Sequence, residues 1–76
     1  MDIREDFARN LRKYRHQSSL SQEALADAAG VDRTYISALE RGIYSATITM
    51  VEKLAEVLGI EPHVLLIRSK PARKKG

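Results

Sequence analysis

The sequence predicts an all-α fold, a compact bundle of five helices. Three observations lead there. Apolar residues recur at three- and four-residue spacing through most of the chain. The helical stretches are punctuated by capping residues at their starts and, in three cases, by glycine at their ends. No stretch shows the strict apolar–polar alternation of a strand.

The elements follow in order. Ile3, Phe7, Leu11 and Tyr14 give residues 3–17 one apolar face. Asp2 with Glu5 three residues later fits a capping box, and Ser18-Ser19 ends the segment. Ser21 caps a second helix, Gln22 to Ala29, which buries Leu25, Ala26 and Ala29 and closes at Gly30. Asp32 caps a third helix, Arg33 to Arg41, with Ile36 and Leu39 inward and Gly42 after it. Ile43 to Ala46 form a loop. Thr47 caps a fourth helix with Ile48, Val51, Leu54, Ala55 and Leu58 on one face, closed by Gly59. Pro62 suits the first turn of a short fifth helix holding Val64, Leu65 and Ile67. Residues 1–67 therefore read as one domain, and residues 68–76 as a basic disordered tail.

Composition narrows the function. Cysteine is absent, which excludes disulfides and thiolate metal sites. The two histidines, His16 and His63, are far apart, and no metal or cofactor is expected. No apolar run approaches the ~20 residues of a membrane span, and the charged start is not a secretory signal, so a cytoplasmic protein is expected. No Cys–His pair, Ser-His-Asp spacing or glycine-rich phosphate loop is present, and the short chain offers no large pocket. An enzyme and a small-molecule ligand are thus not expected. The net charge of +3 is uneven: residues 1–67 carry eight Lys/Arg against ten Asp/Glu, and the tail supplies the excess of cations. Within the body, Arg9, Arg12, Lys13 and Arg15 cluster towards the end of the first helix.

The middle of the chain carries the functional pattern. Leu25, Ala26, Ala29, Val31, Ile36 and Leu39 form a buried set around the turn at Gly30. Two helices crossing at roughly 90–120° over a short turn need this arrangement. It leaves Arg33, Thr34, Ser37 and Ala38 outside on the third helix, with Tyr35 and Arg41 at its edges. A long cation, two short hydroxyls and a methyl can read base edges in a major groove.

These residues resemble a known family. Leu20-Ser21-Gln22-Glu23-Ala24-Leu25-Ala26, Gly30-Val31-Asp32-Arg33-Thr34-Tyr35-Ile36-Ser37 and Leu39-Glu40-Arg41-Gly42 look like the lambda-repressor/Cro-type (XRE) helix-turn-helix proteins. The likeness runs over roughly residues 5–67, with residues 21–42 as the helix-turn-helix. Asp32 to Ser37 most resembles the controller proteins of restriction–modification systems, which are small dimeric transcription regulators. The resemblance implies a lambda-repressor-like domain that binds double-stranded DNA. Base contacts fall to Arg33, Thr34, Ser37 and Ala38. Backbone contacts fall to Ser21, Gln22, Tyr35, Arg41, Tyr44, Ser45 and Thr47. Arg15 and Glu40 occupy the places of a structural ion pair. Ser19 stands where the family usually has glycine, and Ser45-Ala46 replaces a common Asn-Pro.

One recognition helix reads few base pairs, so a homodimer on a palindromic operator is expected. Met50, Val57, Ile60, Val64 and Ile67 extend the apolar surface sideways and are the expected dimer patch. A second class, a protein-binding module on the same fold such as an antitoxin or antiactivator, stays open because residues 1–67 are net acidic.

Overall fold

In a computed structural model of the chain, residues 2–68 are described. They form α1 (Ile3–Gln17), α2 (Gln22–Ala29), α3 (Arg33–Glu40), α4 (Ile48–Leu58) and a 3₁₀ helix (Pro62–Leu66), with no strand among the described residues. The third helix ends at Glu40, and Arg41 is its C-terminal cap. The fifth segment is a single 3₁₀ stretch, closed by Val64 N–H donating to Glu61 O at 3.0 Å. Five residues led by a proline are too few to propagate α-helical hydrogen bonds.

The caps follow from the side chains. Ser21 Oγ accepts from Ala24 N–H, Asp32 Oδ2 from Thr34 N–H, and Thr47 Oγ1 from Met50 N–H, each at 3.0 Å. Each satisfies an orphan donor that a helix start leaves open. Asp2 caps α1 by accepting from Arg4 N–H, and the Arg4 guanidinium folds back onto the same carboxylate. That contact holds the Asp2 carboxyl below its ordinary value, with Arg4 hydrogen bonding as the main cause.

The helix ends share one construction. Leu20 N–H donates to Arg15 O, Val31 to Ala26 O, Ile43 to Ala38 O and Ile60 to Ala55 O, at 2.9–3.2 Å. In each case the preceding residue is left-handed: Ser19, Gly30, Gly42 and Gly59. This is the Schellman closure, followed each time by an apolar residue. At Gly30 a Cβ would meet nothing within 4 Å, so glycine is there for its φ of 74° and not for space. Ser19 adopts φ 58° without that freedom, so the closure of α1 carries strain.

All five elements meet in one core. Leu11 from α1, Leu25 from α2, Ile36 and Leu39 from α3, Leu54 from α4 and Leu65 from the 3₁₀ helix are fully buried. Ala26 and Ala29 let α2 and α3 approach closely, and Val31 packs half-buried against the cluster. The 3₁₀ helix is tied to α1 by Asn10, whose Nδ2 donates to Leu65 O at 3.0 Å and to Ile67 O at 2.6 Å. Beside it the buried Asp6 carboxylate lies 3.4 Å from Arg9 and 3.4 Å from Arg68. Arg68, expected as the first residue of a free tail, is thus placed against α1. The rest of the expected tail, residues 69–76, lies outside the described residues.

The apolar faces differ from expectation in one region. Ile48 is 89% exposed although its spacing places it with Val51 and Ala55. It occupies the first position of α4, at the rim of a groove between α4 and the 3₁₀ helix. Of the expected dimer patch, Met50, Val57, Ile60 and Val64 are half-buried, the first three of them against the core. Only Ile67 is exposed. Exposed apolar side chains also include Ile48, Leu66 and Ile3, and on the loop after α3 Ile43 and Tyr44. A groove of about 420 Å³ runs between Ile48, Val51, Pro62 and Leu66. A smaller one of about 90 Å³ lies between Ile3, Phe7, Ala46, Val51 and Leu66. No residue of α2 or α3 lines either groove.

Candidate nucleic-acid interface

The face of α3 away from the core is the candidate site. Ile36 and Leu39 anchor the helix, so the helical repeat turns Arg33, Thr34 and Ser37 to the other side. Arg33 and Thr34 are exposed and Ser37 is half-buried. Ala38, expected outside with them, is only 6% exposed. Its carbonyl also accepts from Ile43 N–H at 3.1 Å, in the closure of α3.

Thr34 is already engaged. Its hydroxyl and its backbone N–H both donate to Asp32 Oδ2. These two hydrogen bonds, the hydroxyl's first, hold the Asp32 carboxyl below its ordinary value. Because the hydroxyl proton points at Asp32, Thr34 Oγ1 faces outward as an acceptor.

Arg33 sits at a helix start, an unfavourable place for a cation. The structure supplies a partner: Arg33 Nη1 donates to Gln22 Oε1 at 3.4 Å. Gln22 in turn donates from Nε2 to Glu40 Oε1 at 3.0 Å. Glu40 also receives Arg15, with Nε 2.5 Å from Oε2 and Nη2 3.0 Å from Oε1. Arg15 and Glu40 are both buried, at 8% and 2% exposure, and Arg15 Nη1 also donates to Leu20 O. The expected ion pair is therefore present in the geometry. It was not apparent from the sequence that Gln22 bridges it to Arg33. The spacing of Gln22 and Glu40 in sequence carries no sign of that contact.

Around α3, Ser21, Arg41, Tyr44, Ser45 and Thr47 are exposed. Ser21 and Thr47 stand at the starts of α2 and α4 with their hydroxyl oxygens capping the helices. Arg41, Tyr44 and Ser45 lie on the chain that follows α3. Tyr35 is half-buried, and its ring packs 6.4 Å from that of Tyr44 at 36°. That pair braces the loop against α3. Arg41 shares a depression of about 200 Å³ with Arg9, Arg12 and Glu5. Arg12 Nη1 donates to Glu40 O, so the last turn of α3 ends among cations, as its dipole favours.

Sequence reasoning passed over Asn10. The signal was present: Phe7, Asn10 and Tyr14 follow one helical stripe, so a lone amide stands among core positions. A buried amide needs partners, and the 3₁₀ helix supplies two carbonyls.

Comparison with known proteins places this geometry. The family model described as Helix-turn-helix matches residues 11–65. Control protein C.SmaI of Serratia marcescens is 40% identical over 76 residues, covering all of this chain and 90% of that protein. A Neisseria meningitidis protein named as a hypothetical transcription factor is 41% identical over 66 residues, covering 87% of this chain, which spans 62% of that protein's length. The crystal structure of the restriction-modification controller protein C.AhdI from Aeromonas hydrophila superposes with a TM-score of 0.78 at 40% identity, over 82% of this chain and 94% of that one. The relatives named here carry the names of a hypothetical transcription factor and of control proteins. Matched over most of its length in sequence and in fold, the chain belongs to the helix-turn-helix family of the lambda-repressor/Cro (XRE) type.

Proposed function

We propose that this protein is a sequence-specific transcription regulator that reads a palindromic operator as a homodimer, with α3 in the major groove. The observation that carries this reading is the outward set of exposed Arg33 and Thr34 with half-buried Ser37, on a helix whose other side is locked in the core. Arg33 can donate two hydrogen bonds to guanine O6 and N7, a pair worth about 1–3 kcal/mol of discrimination. Thr34, with its proton held by Asp32, accepts from an exocyclic amine of cytosine or adenine. Phosphates meet the backbone N–H groups at the start of α2 beside Ser21 and Gln22, and on the other side Arg41, Tyr44, Ser45 and Thr47. Tyr35 holds Tyr44 in that wall.

The second copy docks on the Ile48–Leu66–Ile67 surface. Ile48, at 89% exposure, leaves an apolar side chain in water at the rim of an apolar groove. That surface contains nothing from α2 or α3, so a two-fold partner there leaves both reading helices free. The Ile48→Glu variant should sediment as a monomer at a concentration where the parent is a dimer.

The test of function is selection of binding sites from a random DNA pool, followed by affinity measured against salt. A palindrome with half-sites about 10 base pairs apart, and affinity that drops steeply with salt, is the expected result. Recovery of no sequence, with tight capture of a single protein instead, would replace the reading by a protein-binding module.

A further inference from the structure

We propose that Glu40 is a specificity-positioning residue: through Gln22 it fixes the orientation of Arg33 and so sharpens base discrimination, a role beyond bracing the fold. The inference rests on Arg33 as a base reader. Its physical basis is the asymmetry of an amide between two charged groups. A carboxylate only accepts, and a guanidinium only donates. Gln22 stands between one of each, so its orientation is forced. Nε2 must face Glu40 Oε1, at 3.0 Å, and Oε1 must face Arg33 Nη1, at 3.4 Å. The reverse orientation would set an NH₂ group against the guanidinium and an oxygen against the carboxylate.

Glu40 can impose this because it cannot move. It is 2% exposed and is held by both Arg15 nitrogens. The chain of contacts therefore runs from a buried ion pair to an exposed side chain in two steps. Gln22 takes one Nη of Arg33 and leaves the Nε–Nη2 edge for a two-bond contact. A loose arginine finds acceptors on many base steps. One held by a fixed acceptor presents its fork in one place, and only a base pair with acceptors there satisfies it. This also accounts for a cation at a helix start, where the dipole disfavours it.

The experiment uses the duplex that the wild-type protein selects from a random pool, and every single-base-pair variant of that duplex. Affinity ratios are measured for the wild type, Arg33→Ala, Glu40→Gln and Gln22→Leu at a temperature where each is folded by circular dichroism. Arg33→Ala identifies the base pair at which discrimination collapses. Glu40→Gln, whose neutral amide accepts either orientation of Gln22, is expected to reduce discrimination at that base pair by roughly three- to tenfold and leave the other positions within about twofold. Gln22→Leu keeps the Arg15–Glu40 pair and should do the same, so it carries the test if Glu40→Gln fails to fold. Adding either change to Arg33→Ala should have no further effect on discrimination. The Gln22 side-chain amide resonance should also shift in Glu40→Gln in the free protein.

Unchanged discrimination in both Glu40→Gln and Gln22→Leu, with loss in Arg33→Ala, overturns the relay and leaves Arg33 a reader. An equal loss at every base pair also overturns it, because that is the mark of a purely structural role. No loss at any base pair in Arg33→Ala overturns the assignment of Arg33, and the relay falls with it.

Discussion

Replacing Glu40 by alanine probes how much the buried ion pair holds. Arg15 Nε lies 2.5 Å from Glu40 Oε2, and the two side chains are 10% and 3% exposed. At an effective dielectric near 20, charges about 4 Å apart attract by roughly 4 kcal/mol. Glu40→Ala removes that attraction and leaves the guanidinium enclosed, with Leu20 O at 2.8 Å as its remaining strong acceptor. Stripping one partner from a buried pair costs about 3–5 kcal/mol. A domain of this length has roughly 4–11 kcal/mol in total. The loss is therefore a large share of the whole. At about 4–8 °C per kcal/mol, the melting temperature should fall by at least ~12 °C, read by far-ultraviolet circular dichroism. The double change Arg15→Met with Glu40→Leu removes both charges and should recover most of that loss, because no ion is left unpaired. Melting of Glu40→Ala within about 4 °C of the parent, or a double variant no more stable than the single one, would refute the reasoning.

Three further outcomes are expected. Ser19→Gly relieves a left-handed serine, a strain of about 1–2 kcal/mol, against about 0.4–1 kcal/mol of added unfolded-chain freedom, so the urea midpoint should rise; a lower midpoint would show that Ser19 is not strained. Asn10→Ala leaves Leu65 O and Ile67 O without their donor and should lower stability by about 2 kcal/mol. Amide hydrogen exchange should quicken first at residues 64–67, and uniform quickening would count against a local latch. The folded Asp32 carboxyl lies below its ordinary value, so its contribution is present above the ordinary carboxylate range and is lost as pH falls through the lowered folded value. Wild type should then lose more stability on acidification than Asp32→Asn, and parallel pH curves would contradict the cap.

Much of the fold was legible because its signals are local. Ser21, Asp32 and Thr47 announce helix starts, and Gly30, Gly42 and Gly59 announce ends, through chemistry confined to a few neighbouring residues. Leu25, Ile36 and Leu39 followed from period alone. Period names a face without saying what lies opposite it. For that reason Ile48 was expected inside and stands in water, while Met50, Val57 and Ile60, expected in a dimer patch, are half-buried against the core. Ala38, expected outside, is 6% exposed for the same reason. Asn10 and Gln22 depend on partners 55 and 18 residues away, which no local pattern encodes.

The repeated left-handed closures bear on how such a protein changes its target. The two joints that flank α3, at Gly30 and Gly42, are made by backbone hydrogen bonds from Val31 and Ile43. Neither joint uses a side chain from positions 33, 34 or 37. The outward residues of α3 can therefore be exchanged while the frame that aims the helix stays constant, and on the function proposed above a new operator preference needs few substitutions. Two contacts reach out from the frame, Asp32 on Thr34 and Gln22 on Arg33. A lineage that replaces Arg33 with an acceptor such as glutamate would face an acceptor already fixed there. Retargeting at that position calls for a paired change, and position 22 is where the second change should appear.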